Sequence, residues 1–382
     1  GLNKIKKENW VSKFNLLGEV HLNDNTFQMN KVSASGWKYS RMNLCIKCGS
    51  TSGNIYTEMM GGFNSDGSSV IYAHGKTDDG RDDFSQKVEV PWENREDATT
   101  LESIGDMCFI QIGLEKTESG KVFYQKFLSE YDAIAYLNDH LHDGDKVYVS
   151  GTLKYSVYNG TTQVKKAINK ITIYTPRSDD EEFKPYARFT QSVLLNNCSA
   201  SLKEANKESG TMPVNAKVLD YVKEIDGVLI KGQYPFSMSF EYKLDLTNET
   251  LCKAIYKKLF EVKSGWTQIT FNGEFVESGA AVNVTLDDVS DDIKGLIKAG
   301  IYTEEEVLRS VVGNGNRERK MVLLKPIIIT LGNDDNKIST VAKFENRYSD
   351  EDLEIDLGVS EADFDNATPI EDGDEMDWLN LV

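Results

Sequence analysis

The sequence predicts a mainly β protein: two five-stranded barrels with helical insertions, followed by an acidic C-terminal tail. Three observations lead there. Polar and apolar residues alternate through a series of short segments, the period-2 pattern of strands with one buried face. One arrangement of helix, turn and strand occurs twice at a constant offset. Charge is concentrated at the C-terminal end: residues 333–382 hold 16 Asp or Glu against three Lys or Arg.

In the first copy, Phe14–Leu22, Arg41–Gly49 and Ile55–Gly61 alternate as strands. A helix is predicted over Glu130–His142, where Ile134, Leu137 and Leu141 recur at helical spacing. The run His142-Asp143-Gly144 is a turn, and Val147–Leu153 is the strand after it. Gly151 inside that strand marks a bulge or tight bend, as at a barrel corner. Val164–Ile173 completes the set, and residues 74–123 are an insertion. Residues 1–177 are therefore read as one domain. The charged run 176–185, with Ser178-Asp179-Asp180-Glu181-Glu182, is the linker to the next.

The second domain, 186–332, repeats the order. Phe189–Leu195, Asn215–Tyr221 and Phe236–Leu244 are strands. Glu249–Val262 is a helix with Leu251, Ile255 and Leu259 on one face. Ile269–Phe275 is a strand broken by Gly273, and Lys320–Thr330 is the last. An insertion at 286–319 carries helical patterns over Asp291–Ala299 and Thr303–Val312. Leu137 maps to Leu259, Val147 to Ile269, Val149 to Phe271, Gly151 to Gly273 and Leu153 to Phe275, each 122 residues apart.

Composition narrows the function. Hydrophobic content of 40% and charged content of 27% are ordinary for a soluble globular protein. No apolar run approaches the ~18 residues that span a membrane, and no signal-peptide core is present. Five sparse cysteines point to reduced thiols in the cytoplasm. A net charge of −18 argues at first against a nucleic-acid binder. The tail, residues 333–382, carries −13 of it, which leaves only −5 for residues 1–332. Blocks of like charge stay solvated and often serve as interaction tails. The apolar end of this one is expected to bind partner proteins through Asp374, Glu375, Asp377, Trp378, Leu379, Leu381 and Val382.

Gly144-Asp145-x-Val147-x-Val149-x-Gly151 after the first helix, its echo at Gly265–Gly273, and the acidic tail with its apolar end carry a resemblance. By these residues the chain resembles tandem OB-fold single-stranded DNA-binding proteins of the bacteriophage type. The likeness covers most of the chain as a pattern rather than a strict motif, and the two insertions depart from it. It implies OB-fold barrels and sequence-independent binding of single-stranded DNA in replication, recombination and repair. It also implies the cytoplasm of an infected bacterial cell. The tail is expected to recruit replication or recombination proteins and, by charge, to compete with DNA for a cationic groove.

Such binding needs cations along the phosphates and aromatic faces for the bases. Trp37, Lys38, Tyr39, Arg41 and Lys47 form one candidate cluster, and Tyr124 and Lys126 another. A hairpin with a Tyr158-Asn159-Gly160 turn supplies Lys154, Tyr155, Tyr158, Lys165 and Lys166. Arg317 and Arg319 are the candidates in the second copy. The competing reading makes the aromatics half core and the lysines solvated edge charges. Tyr234, Phe236, Phe240 and Tyr242 alternate and are read as core.

Cys45 and Cys48 have the spacing of half a zinc site. No second CxxC exists, and strand alternation makes them buried thiols instead, so no metal or cofactor is expected. The chain lacks GxxxxGK[ST], HExxH and GxSxG. Its four histidines form no catalytic set, so an enzyme is not expected. Two other readings stay open: a non-enzymatic virion or complex component built on the same barrels, and a metal-dependent enzyme using loop carboxylates.

Overall fold

The computed structural model describes residues 5–278, 286, 289–304, 307 and 318–355. The first half contains β1 (Ser12–His21), β2 (Phe27–Val32), β3 (Trp37–Lys47), β4 (Asn54–Asn64), β5 (Val70–Lys76), β6 (Asp82–Pro91), β7 (Ile110–Lys116), β8 (Val122–Phe127), β9 (Lys146–Tyr158) and β10 (Thr161–Ile173). The second contains β11 (Tyr186–Leu195), β12 (Thr211–Ile225), β13 (Val228–Lys243), β14 (Trp266–Ser278), β15 (Glu318–Pro326), β16 (Ile328–Leu331), β17 (Ile338–Val341) and β18 (Lys343–Tyr348).

Five strands of the first half close on themselves. β1 pairs antiparallel with β3 and with β9, β3 with β4, and β9 with β10, and a parallel β10–β4 contact completes the barrel. Alternation explains the ring, because Met42, Leu44 and Ile46 of β3 all point inward and are fully buried. The helix Glu130–His140 plugs it with Ala133, Ile134 and Leu137. Ser129 starts that helix by accepting a hydrogen bond from the Tyr131 amide.

The second half carries the same circuit of pairings: β11 with β12, β12 with β13, β13 parallel to β15, β15 with β14, and β14 back to β11. Phe189, Phe236, Phe260 and Phe271 fill its core. Its helix runs Glu249–Ile255 under an Asn248 cap and widens into a π turn at Tyr256–Phe260.

The two repeat glycines lie opposite phenylalanines, Gly151 across from Phe14 and Gly273 across from Phe189. The expected bulges fall on the neighbouring strands, between Ile168 and Lys170 of β10 and between Leu323 and Lys325 of β15. A β-carbon at 151 would strike the Ala167 carbonyl, and one at 273 the Phe189 ring.

The halves are fused by backbone. Ser12–Leu17 of β1 pair antiparallel with Tyr186–Gln191 of β11, which makes one 14-stranded sheet among the described residues. Gln191 sits at this seam, its Oε1 accepting from Ser12 Oγ at 2.8 Å and from Tyr155 Oη at 2.9 Å.

Three expectations need correction. The insertion at 74–123 is mostly β, not helical: β5–β6 is a separate hairpin, β7–β8 joins β10 in parallel, and its one α-helix among the described residues is Ala98–Glu102. These hairpins are polar on exposed faces, so hydrophobic periodicity does not mark them. The strand expected over Lys320–Thr330 breaks after Pro326, and Ile328–Leu331 pairs instead with Ile338–Val341. Residues 333–355 are folded rather than part of a disordered tail. β18 pairs with β14, and Tyr348 and Leu353 are buried with Ile5, Leu194, Leu219 and Trp266. Surrounding carboxylates hid that apolar spacing. In the second insertion the helix Asp291–Lys298 is present, while most of Thr303–Val312 lies outside the described residues. So do the tail residues Asp374, Glu375, Asp377, Trp378, Leu379, Leu381 and Val382. No helix among the described residues is long and apolar enough to cross a membrane.

Candidate nucleic-acid interface

While the even-numbered residues of β3 fill the barrel, the odd-numbered ones form its outer face. Trp37 and Tyr39 stack there with ring centroids 4.9 Å apart and planes 14° from parallel. Arg41 and Asn43 follow along the strand, opposite Met60 and Glu58 of β4. Cys45 comes next, opposite Tyr56. β10 runs beside β4 through the Ala167–Glu58 pairing and brings in Lys165 and Lys166. Arg41, Tyr56, Glu58, Met60, Lys165 and Lys166 line a cleft of about 330 Å³.

The second half reaches into this region. The Arg319 guanidinium of β15 stands 5.0 Å from the centre of the Tyr56 ring. Reciprocally, Lys166 Nζ lies 4.7 Å from the centre of the Phe275 ring on β14. Each is within the range where a cation is attracted to a ring face. Glu58 is the carboxylate in the cleft lining, 3.9 Å from Arg41 Nη2 and 3.6 Å from Lys165 Nζ.

Burial sets the titration of this region. It pulls the Lys166 amine down to about 8, with Arg319 adding to the effect and Cys48 and Glu58 opposing it. Burial pushes the Cys48 thiol up to about 12, helped by Cys45, and raises Cys45 and Tyr56 as well. Both cysteines are thus protonated, free thiols. Among the described residues no three His, Cys, Asp or Glu side chains gather as a metal set.

Of the residues singled out from sequence, Trp37, Tyr39, Arg41, Lys165, Lys166 and Arg319 come together on this face. Others do not. Lys38 points the other way, 5.9 Å from the Phe63 ring. Lys47 is exposed at the end of β3, opposite Asn54. Tyr124 lies beneath Lys170, whose Nζ is 4.7 Å from its ring centre. Lys126 is tied to Asp106 at 3.3 Å. Lys154 is exposed on β9, and Tyr158 stands at the hairpin tip, where Asn159 and Gly160 adopt φ of 48° and 73°, the left-handed pair such a turn requires. Tyr155 is a correction: it is fully buried, hydrogen-bonded to Gln191 and packed toward Phe236, so no base reaches its ring. Its position on β9 points it into the seam. Arg317 lies outside the described residues.

Sequence reasoning missed Tyr56, Glu58 and Met60. The alternation of the strand Ile55–Gly61 already placed them on one face, and that was the available signal. A second, larger cleft of about 630 Å³ lies between residues 5–8 and β18. There Arg347 is matched by Glu8 at 3.4 Å, and its Nη2 also donates to the Glu8 carbonyl and Asn9 Oδ1.

A family model described as YorF matches residues 86–291. No curated protein matches the sequence. The chain is similar to two solved structures of the single-stranded DNA binding protein from Thermus aquaticus. The wild type is 11% identical over 71% of this chain and 87% of that one, with a TM-score of 0.31. A deletion mutant of the same protein is 12% identical over 70% and 88%, also at 0.31. A TM-score that low carries no weight for function; the strand circuit and the side chains around the cleft do.

Proposed function

The chain belongs to the YorF family, and we propose that it binds single-stranded DNA without sequence preference, along the outer face of β3 and β4 and across the seam to β15. One observation supports this above the rest. Arg41, Tyr56 and Lys165 come from three strands yet line one cleft, and Arg319 of the other half stands 5.0 Å from the centre of the Tyr56 ring. Bases stack on Trp37, which buried Tyr39 backs, and on Tyr56, at about 1–3 kcal/mol per base. Phosphates meet the guanidinium and ammonium groups between those rings. Glu58 holds Arg41 and Lys165 in place and is outnumbered by them, so the face stays cationic.

The finer reading is a tandem OB-fold protein of the bacteriophage type, serving replication, recombination and repair. Residues 356–382 carry nine carboxylates and no Lys or Arg. This tail competes with DNA for the cleft and offers Trp378, Leu379, Leu381 and Val382 to replication or recombination proteins.

The test is fluorescence anisotropy with labelled oligo(dT) of increasing length at two salt concentrations. The proposal requires tight binding that grows with length and weakens steeply with salt. Absence of binding at low salt overturns it. One feature favours an assembly protein instead. Tyr72, Phe84 and Met107 are 76%, 64% and 72% exposed around the β5–β6 hairpin, and exposed apolar groups can mark a protein contact. Self-association that depends on these residues, with no DNA binding, supports that reading.

A further inference from the structure

Two adjacent lysines of β10 meet different surroundings. Lys165 is exposed and paired with Glu58. Lys166 is half-buried, set against the Phe275 ring, and its titratable neighbours are Arg319 of β15, Glu58 of β4 and the protonated Cys48 thiol. A guanidinium and an aromatic face disfavour water around the ammonium, and the amine is held near 8 rather than 10.5. Roughly a tenth of it is then neutral at pH 7, against well under a thousandth for an ordinary lysine. Desolvation beside a second cation is the setting that turns a lysine into a nucleophile toward carbonyls.

Undamaged DNA offers no carbonyl carbon that reacts readily with an amine. An abasic nucleotide does, because its deoxyribose opens to an aldehyde at C1′. In a single strand that sugar has no opposing strand over it, and the missing base leaves room beside the stacking rings. We propose that Lys166 captures abasic nucleotides of single-stranded DNA as a reversible imine, a proposal that rests on the DNA-binding reading above.

The step balances without an oxidant or reductant. The Nζ lone pair attacks C1′, and the carbonyl oxygen takes up a proton to give a carbinolamine. Nitrogen then loses a proton, the hydroxyl takes up a second one and leaves as water as the C=N bond forms, and loss of the remaining N–H proton gives the imine. Water adds back to release the aldehyde. Arg319 is the positioning residue, able to hold the neighbouring phosphate.

The experiment uses the full chain and an oligonucleotide with one abasic site, with borohydride added to reduce any imine to a stable secondary amine. A denaturing gel reads cross-linking, and peptide mass spectrometry locates it. Wild type is expected to cross-link at Lys166, with a yield that rises as pH passes about 8. Lys166→Met and Lys166→Arg are expected to lose at least tenfold in yield. Lys253→Met, on a helix where that lysine pairs with Glu249, is expected to keep it. Circular dichroism checks that each variant folds, and the arginine variant preserves charge if the methionine variant does not fold. Equal cross-linking by Lys166→Arg, or none by a wild type that binds the abasic oligonucleotide in anisotropy, overturns this inference alone. No binding to intact or abasic DNA overturns the DNA reading together with it.

Discussion

Phe189 covers Gly273: the two pair across β11 and β14, and the ring occupies the space a side chain at 273 would need. The Val322 carbonyl stands on the same spot, 2.5 Å from where a β-carbon would be. The first half repeats this with Phe14 over Gly151. A shared glycine therefore makes room for a core phenylalanine in each half.

Gly273→Ala is expected to destabilise by about 1–3 kcal/mol, the usual cost of overpacking a filled core. Gly295→Ala, in the helix Asp291–Lys298 with open space around it, is expected to stabilise by up to ~1 kcal/mol through helix propensity. Urea unfolding of both variants checks the contrast. Equal effects would mean that the Phe189–Gly273 contact does not matter.

Where the chain is cut matters as much as how much charge is removed. Ending it after Gly332 deletes Tyr348 and Leu353 from their apolar cluster and takes β18 off β14. That truncation is expected to lower the thermal midpoint by several degrees or more. Ending after Ile355 removes nine carboxylates and is expected to leave the midpoint unchanged while DNA affinity rises at low salt. Differential scanning calorimetry and anisotropy on the two truncations read the two effects separately.

Lys166 gives a pH signature in stability. Its folded value of about 8 lies below the unfolded 10.5. Between these the unfolded chain holds more protons, so this group makes stability rise with pH over that window, and it costs stability below it. Lys166→Met is therefore expected to be more stable than wild type at pH 7, by on the order of 1–3 kcal/mol. The gain should shrink as pH rises from 8 toward 10.5. A pH-independent difference between the two unfolding curves would refute the assignment.

Tyr56 and Arg319 are expected to weaken DNA binding in different ways. Tyr56→Ala removes a ring and should cost about 1–3 kcal/mol at every salt concentration. Arg319→Gln removes one phosphate contact and should reduce the slope of log affinity against log salt by about 0.7. Titrations across a salt series distinguish the two. Identical slopes for Arg319→Gln and wild type would remove Arg319 from the phosphate path.

Much of the first barrel was legible because its strands are half-buried, and alternation over Phe14–Leu22 or Val147–Leu153 marks which face goes in. The two glycines 122 residues apart were legible for the same reason. The hairpins β5–β6 and β16–β17 were not, since with so little buried surface they carry little periodic signal. Tyr155 was misplaced because an aromatic next to a lysine looks the same at an edge and in a seam; Gln191, Asp220 and Phe236 of the second half bury it. The cleft itself was half legible. Arg41 and Lys165 announce themselves in local clusters, whereas Arg319 above Tyr56 is a contact 263 residues apart in sequence, and folding alone creates it.

The ladder between β1 and β11 has a consequence for the linker that joins the halves. Six residue pairs and the Gln191 hydrogen bonds hold the halves together without help from residues 176–185. A protease nick there should leave complementary fragments that migrate as a single species in gel filtration and separate only in denaturant. By the same logic, the covalent connection serves mainly to raise the effective concentration of one fragment for the other during folding.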